Sequence, residues 1–96
     1  MTTPLTLIAT ITADPAQQAA VEAGLRVLVE ASRREDGCLQ YDLHRHQQHA
    51  HVFVMIEQWR DEQTLAAHQQ TPHFLHFGQT CGEHLQAVDH QLMHRL

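Results

Sequence analysis

The sequence predicts an α+β domain in the ferredoxin-like β-α-β-β-α-β order, with helices on one face of an antiparallel sheet, and three observations carry that prediction. Residues 5–12 alternate with a period of two, Asp14-Pro15 and Thr71-Pro72 open helical stretches, and two extended runs at 38–46 and 51–60 flank a short polar link. A final run, 85–96, supplies the fourth strand. With 96 residues and 43% apolar side chains, the chain holds enough for one core and too little for two.

Each element has its own local signal. Leu5, Leu7, Ala9 and Ile11 alternate with Thr6, Ile8, Thr10 and Thr12, and the β-branched enrichment marks a strand. Asp14 then stands as a helix cap, Pro15 takes the first helical position, and Gln17 stands where a capping-box partner would. The following helix has an apolar stripe of Val21, Leu25, Leu28 and Ala31, opposite Glu22, Arg26, Glu30, Arg33 and Arg34; Asp36-Gly37 stops it.

The runs 38–46 and 51–60, joined by Gln47-Gln48-His49-Ala50, form a β-hairpin pattern. Its second strand is apolar on both alternations, so both faces need cover, and a single helix layer supplies only one. The other face is expected to meet a second copy of the chain. Asp61 caps a helix through Leu65 and His68; Thr71-Pro72 interrupts it and starts another, whose end Gly78 and Gly82 loosen. Leu85, Ala87, Leu92, Met93 and Leu96 are spaced as a last strand, with His and Gln blurring the alternation.

Composition excludes several classes of function. Six Arg against eleven Asp and Glu give a formal charge of −5, a field that repels nucleic-acid phosphates and anionic lipid. The ten His make that charge sensitive to mild acid. The chain has neither Lys nor Asn. No apolar run approaches the ~20 residues of a membrane span, and the first residues carry no basic region before a hydrophobic one, so a cytoplasmic location is expected. Cys38 and Cys81 form no C-x-x-C pair, and both are expected to be reduced and mostly buried. No repeat or low-complexity linker divides the domain.

Three strings then stand out: Ser32-Arg33-Arg34-Glu35-Asp36-Gly37-Cys38-Leu39-Gln40-Tyr41-Asp42-Leu43, Phe53-Val54-Met55-Ile56-Glu57-Gln58-Trp59, and His68-Gln69-Gln70-Thr71-Pro72-His73-Phe74. In combination and at these separations they resemble the antibiotic biosynthesis monooxygenase domain family over nearly the whole chain. The resemblance implies a dimeric α+β barrel, in agreement with the strand that is apolar on both sides. It does not fix one reaction. Family members include cofactor-independent oxygenases of quinols and aromatic polyketides, haem-degrading enzymes and an isomerase of a phosphorylated quorum signal. The haem-degrading members use an Asn, a Trp and an iron-binding His, where this chain has Ala9 or Thr10, His68 and Gly78; that chemistry is not expected. The isomerase motif is matched by His68-x-x-Thr71-Pro72-His73, but a phosphorylated substrate needs cations and only Arg26, Arg33, Arg34, Arg45, Arg60 and Arg95 are available.

The expected activity is therefore oxidation of a small quinol, phenol or polyketide-like substrate by O2, with no cofactor and no metal; an isomerase and a non-catalytic binder of an aromatic metabolite are the alternatives. Such chemistry needs a base, a dry aromatic pocket and donors for the developing oxyanion. His68 is the first candidate base, expected on the inward side of its helix near Trp59; otherwise it is a ring satisfied by a backbone carbonyl at the helix break. Tyr41 is a candidate oxyanion donor; otherwise its phenol simply reaches the surface. Glu57, among Phe53, Met55 and Trp59, either pairs with Arg45 across the hairpin, the favoured reading, or carries a raised pKa. Trp59, Phe74, Phe77, His73 and Arg45 are candidate substrate contacts, the rings serving either as pocket wall or as core. His44, His46, His49 and His51 crowd the hairpin turn, where a physiological metal site is not expected. His73 and His76 have metal-compatible spacing and are read as a solvent-facing pair.

Overall fold

The computed structural model describes residues 4–96. Its elements are β1 (Leu5–Ala13), a 3-10 turn (Pro15–Gln17), α1 (Gln18–Ser32), β2 (Cys38–Arg45), β3 (Val52–Trp59), α2 (Glu62–His68), α3 (Pro72–Cys81), a second 3-10 turn (Gly82–His84) and β4 (Leu85–His94). The strands form one antiparallel sheet in the order β2-β3-β1-β4, the ferredoxin-like arrangement the sequence predicts. Among the described residues no helix is long and apolar enough to cross a membrane.

Register decides which side chains share the helix-covered face, because directly paired residues point the same way. Leu7 stands opposite Glu57, Ala9 opposite Met55 and Ile11 opposite Phe53, while Tyr41 on β2 stands opposite Glu57. All are buried, against Val21, Leu25, Leu28 and Val29 of α1. The α1 stripe turns through Val29 and Ser32; Ala31 is only half-buried. Asp14 caps as predicted, accepting from the Ala16 amide at 3.0 Å. The first turn is 3-10, so Gln17 becomes the α-helical cap residue and makes no side-chain capping bond.

Gly37 has φ +89° and ends the α1–β2 connection; a Cβ there would lie 2.4 Å from Thr64 Cγ2. That contact joins the connection to α2, which Asp61 and Thr64 cap reciprocally. Thr71 caps α3 by accepting from the Phe74 amide, and its own hydroxyl donates to the His68 carbonyl at 2.7 Å. The helix break thus consumes the His68 carbonyl and leaves the ring for other partners. Gly78 sits within α3, which continues to Cys81 before the 3-10 turn at Gly82.

The two faces differ as the β3 pattern foretells. Phe53, Met55, Glu57 and Trp59 are buried under helices, whereas Val52, Val54, Ile56 and Gln58 are half-buried on a face that carries no helix. Val88 and Leu92 of β4 pair with Ile11 and Leu7 and so point to the helix side, yet they are 46% and 60% exposed.

Candidate active site

Between the sheet and helices α1 and α3 lies a cavity of about 300 Å³. Its walls are mostly apolar: Ala9 and Ile11 below, Leu25 and Leu28 from α1, Phe74 and Phe77 from α3. Tyr41, Glu57 and His90 are its polar lining residues, and no Arg lines it. A few polar groups in an apolar chamber is the usual form of a small-molecule site.

The Glu57 carboxylate accepts from Trp59 Nε1–H at 2.9 Å. Burial pushes its pKa up from 4.5 to about 7, against the lowering effect of the Trp59 bond and with a smaller push from the charge of Glu35. Arg45 does not meet it. Arg45 pairs in register with Phe53 at the far end of the hairpin, and its guanidinium reaches Glu22 of α1 at 2.8 Å, so the expected pairing of Glu57 with Arg45 is corrected in favour of the raised pKa. Tyr41 cannot readily ionise, because burial, and then the charge of Glu57, hold its phenol far above the usual range.

Behind Tyr41 stands a second constellation. His68 is buried, its ring centroid 4.5 Å from that of Trp59 and 5.4 Å from that of Tyr41. Its Nδ1 lies 2.6 Å from Glu35 Oε2, and the same oxygen lies 2.7 Å from His73 Nε2. A carboxylate only accepts, so both imidazole nitrogens facing it carry hydrogen. His68 Nε2 is then the bare nitrogen, 3.5 Å from Tyr41 Oη, a long hydrogen bond in which the phenol donates. Burial lowers the His68 pKa although the Glu35 bond and charge oppose it, so the ring is neutral near pH 7.

His68 is thus inward and beside Trp59, as expected, but it reaches the cavity only through Tyr41. Trp59 is fully buried and serves as donor to Glu57 rather than as cavity wall; Phe74 and Phe77 do line the cavity. His73 is not one of a solvent-facing pair with His76: its side chain is 24% exposed because Glu35 draws it in. Glu35 has no part in the sequence-based site, although it lies in the first of the three strings. The signal was its place beside Gly37, whose left-handed turn swings the connection over α2.

Glu35, His68 and His73 bring their donor atoms within 4.8 Å of one another. Two ligands sharing a tetrahedral cation at ~2.1 Å would stand about 3.4 Å apart. Contacts of 2.6 and 2.7 Å are instead those of charge-assisted hydrogen bonds. At the hairpin turn, His46 Nδ1 accepts from the Gln48 and His49 amides and so serves the loop. Both cysteines are free, with Cys81 buried; burial and the charge of Glu35 push the Cys38 thiol up to about 11, which keeps it unreactive.

The model of the family described as antibiotic biosynthesis monooxygenase matches residues 4–80. A Mycobacterium tuberculosis protein named "Putative monooxygenase Rv0793" is 33% identical over 83 residues, covering 86% of this chain and 81% of its own length. Among solved structures, PA3566 from Pseudomonas aeruginosa is 54% identical with a TM-score of 0.96, covering 100% of this chain and 97% of that one. A crystal structure described as antibiotic biosynthesis monooxygenase is 34% identical with a TM-score of 0.91, over 96% and 98% of the two chains.

Proposed function

The chain belongs to the antibiotic biosynthesis monooxygenase family, and from that premise we propose that it oxidises a small quinol or related phenol with O2, without a cofactor, in the cavity beneath α1 and α3. The observation that carries this reading is the pairing, across adjacent strands, of a cavity-lining carboxyl with a pKa near 7 and a cavity-lining phenol backed by His68. O2 reacts with electron-rich anions, so the protein must first take a hydroxyl proton from the substrate. Glu57 does so directly, with a pKa matched to neutral pH. His68 does so through Tyr41, whose phenol takes the substrate's proton as it passes its own to Nε2, since its anion is too costly to form alone.

The electron count closes without a reductant. O2 accepts four electrons, two as quinol becomes quinone and two as a ring C–H becomes C–O; one oxygen stays in the product and the other leaves as water. The alternative of a phosphorylated substrate finds no Arg lining the cavity and meets a carboxyl there.

The test is O2 uptake by the protein over a panel of hydroquinones and dihydroxynaphthalenes. His68→Ala is expected to lower turnover by about 100-fold or more, as loss of a general base does. Uptake at the wild-type rate in that variant removes His68 from the reaction, and no uptake by the wild type over the panel removes the oxygenase reading in favour of binding or isomerisation.

We also propose that the chain works as a homodimer. The helix-free face, with Ile8 paired to Ile56 at its centre, is the apolar surface a second copy would cover, and the exposed Val88 and Leu92, on the opposite face of the β4 edge, add a separate apolar patch. A monomer mass in light scattering at micromolar concentration would contradict this.

A further inference from the structure

The hydrogen bonds around His68 leave one carboxylate without a role in the chemistry above. Glu35 lies on the connection between α1 and β2, largely covered, with its Oε2 taken by His68 of α2 and His73 of α3. The two contacts tie the connection to α2 and α3, and the one to His68 has a further consequence for the ring itself. What the arrangement does is fix a tautomer. An acceptor-only group at Nδ1 forces hydrogen onto that nitrogen and leaves Nε2 bare toward Tyr41. A neutral His68 with the opposite tautomer would present N–H to Tyr41 and could accept nothing from it.

We propose that Glu35 is a positioning residue of this site: it holds His68 in the tautomer that can accept the Tyr41 proton and supplies the negative charge against which the resulting imidazolium forms. The proposal rests on the reading of Tyr41 and His68 as a proton path from the cavity. The step it serves is a transfer of protons alone. The substrate O–H breaks as a new Tyr41 O–H forms, the former Tyr41 proton bonds to His68 Nε2, and the imidazolium faces the Glu35 carboxylate at 2.6 Å. His73, on the same oxygen and reaching the outer surface, holds Glu35 in place as a second donor. The other ionisable groups packed around His68 and Glu35 are Tyr41 and Cys38 from β2 and Glu57 from β3; none offers His68 Nδ1 a competing acceptor.

The experiment reads the tautomer first and turnover second. In protein carrying 15N-histidine at pH 8, long-range proton–nitrogen spectra should show His68 with hydrogen on Nδ1 and a bare Nε2; hydrogen on Nε2, or a ring exchanging between tautomers, overturns the proposal. Glu35→Gln puts an amide there that can donate or accept, so His68 should lose its single tautomer, whereas Glu35→Asp, still acceptor-only, should keep it. With the hydroquinone panel, Glu35→Gln should lower kcat by about 100-fold, the scale of losing general-base function, with KM changed less than about threefold. An unchanged kcat overturns the proposal even with the expected tautomer. If the wild type consumes no O2, the oxygenase reading fails, and the tautomers of the wild type and Glu35→Gln still decide whether Glu35 orients His68.

Discussion

Glu57 and Glu35 are both largely removed from water, and the protein treats them in opposite ways. Glu57 receives one neutral N–H, from Trp59, and otherwise faces an apolar cavity; desolvation wins and the carboxyl titrates near pH 7. Glu35 receives two imidazole N–H groups on a single oxygen, so its charge is met by donors at 2.6 and 2.7 Å. Burial alone therefore does not set a carboxylate's chemistry here; the donor count does. One group is left ready to exchange a proton with whatever enters the cavity, and the other is made a fixed anchor for the ring that does the exchanging.

The sharpest way to break the contrast is to remove the anchor. Glu35→Ala leaves His68 Nδ1–H, a buried donor, without a partner and removes two charge-assisted bonds, so a loss of about 3 kcal/mol of unfolding free energy is expected in urea titrations. A loss under about 1 kcal/mol would mean that water or another acceptor replaces the carboxylate. Next in size is the pH dependence that Glu57 imposes. The folded protein keeps a proton on this carboxyl up to about pH 7, while the unfolded chain releases it near 4.5, so the folded state binds more protons in that window and stability falls as pH rises through it. That single group accounts for a fall of about 3 kcal/mol, complete above about pH 7. Glu57→Gln, neutral throughout, should remove the Glu57 contribution to the slope between pH 5 and pH 8, and an unaltered slope would place the pKa elsewhere.

The contrast also shows where sequence reasoning reaches its limit. Strand alternation, the caps at Asp14, Asp61 and Thr71, and the positive-φ Gly37 are local signals, and they locate the four strands and the three α-helices, though not the two 3-10 turns. The inward setting of His68 near Trp59 is expected from its position after Leu65 and from the family resemblance, and in the structure the ring is buried there. Which partner a charged side chain finds is set by register and by loop path, neither of which is local. Glu57 and Arg45 lie near each other in a hairpin diagram, but β2 and β3 pair so that Tyr41, not Arg45, stands opposite Glu57. Glu35 sits 33 residues before His68, and only the turn at Gly37 and its packing on Thr64 bring the two together.

A smaller effect sharpens the account of Glu57. Trp59→Phe keeps an aromatic ring in a fully buried place but deletes the N–H that draws the Glu57 pKa down. The titration should move above about 7, with a stability cost of about 1–2 kcal/mol from the lost hydrogen bond and the smaller ring. Carboxyl-region NMR or the infrared band of the protonated carboxyl would follow it, and a downward shift would mean that Trp59 matters through packing rather than through its bond.

The smallest effect belongs to a third carboxylate, half-buried itself but paired with cations that stand mostly in solvent. Glu22 accepts from Arg45 at 2.8 Å and from Arg26 at 3.1 Å, and these cations hold its pKa below the ordinary range. Both guanidinium groups are more than half exposed, so solvent and salt screen the attraction and the ordering of two long side chains offsets much of it. Arg45→Ala should therefore change stability by about 0.5 kcal/mol or less at low salt and by less still at high salt. A loss comparable to that of Glu35→Ala would show that the Arg45–Glu22 contact closes α1 onto the hairpin, and that donor count governs this molecule's carboxylates even where water is free to compete.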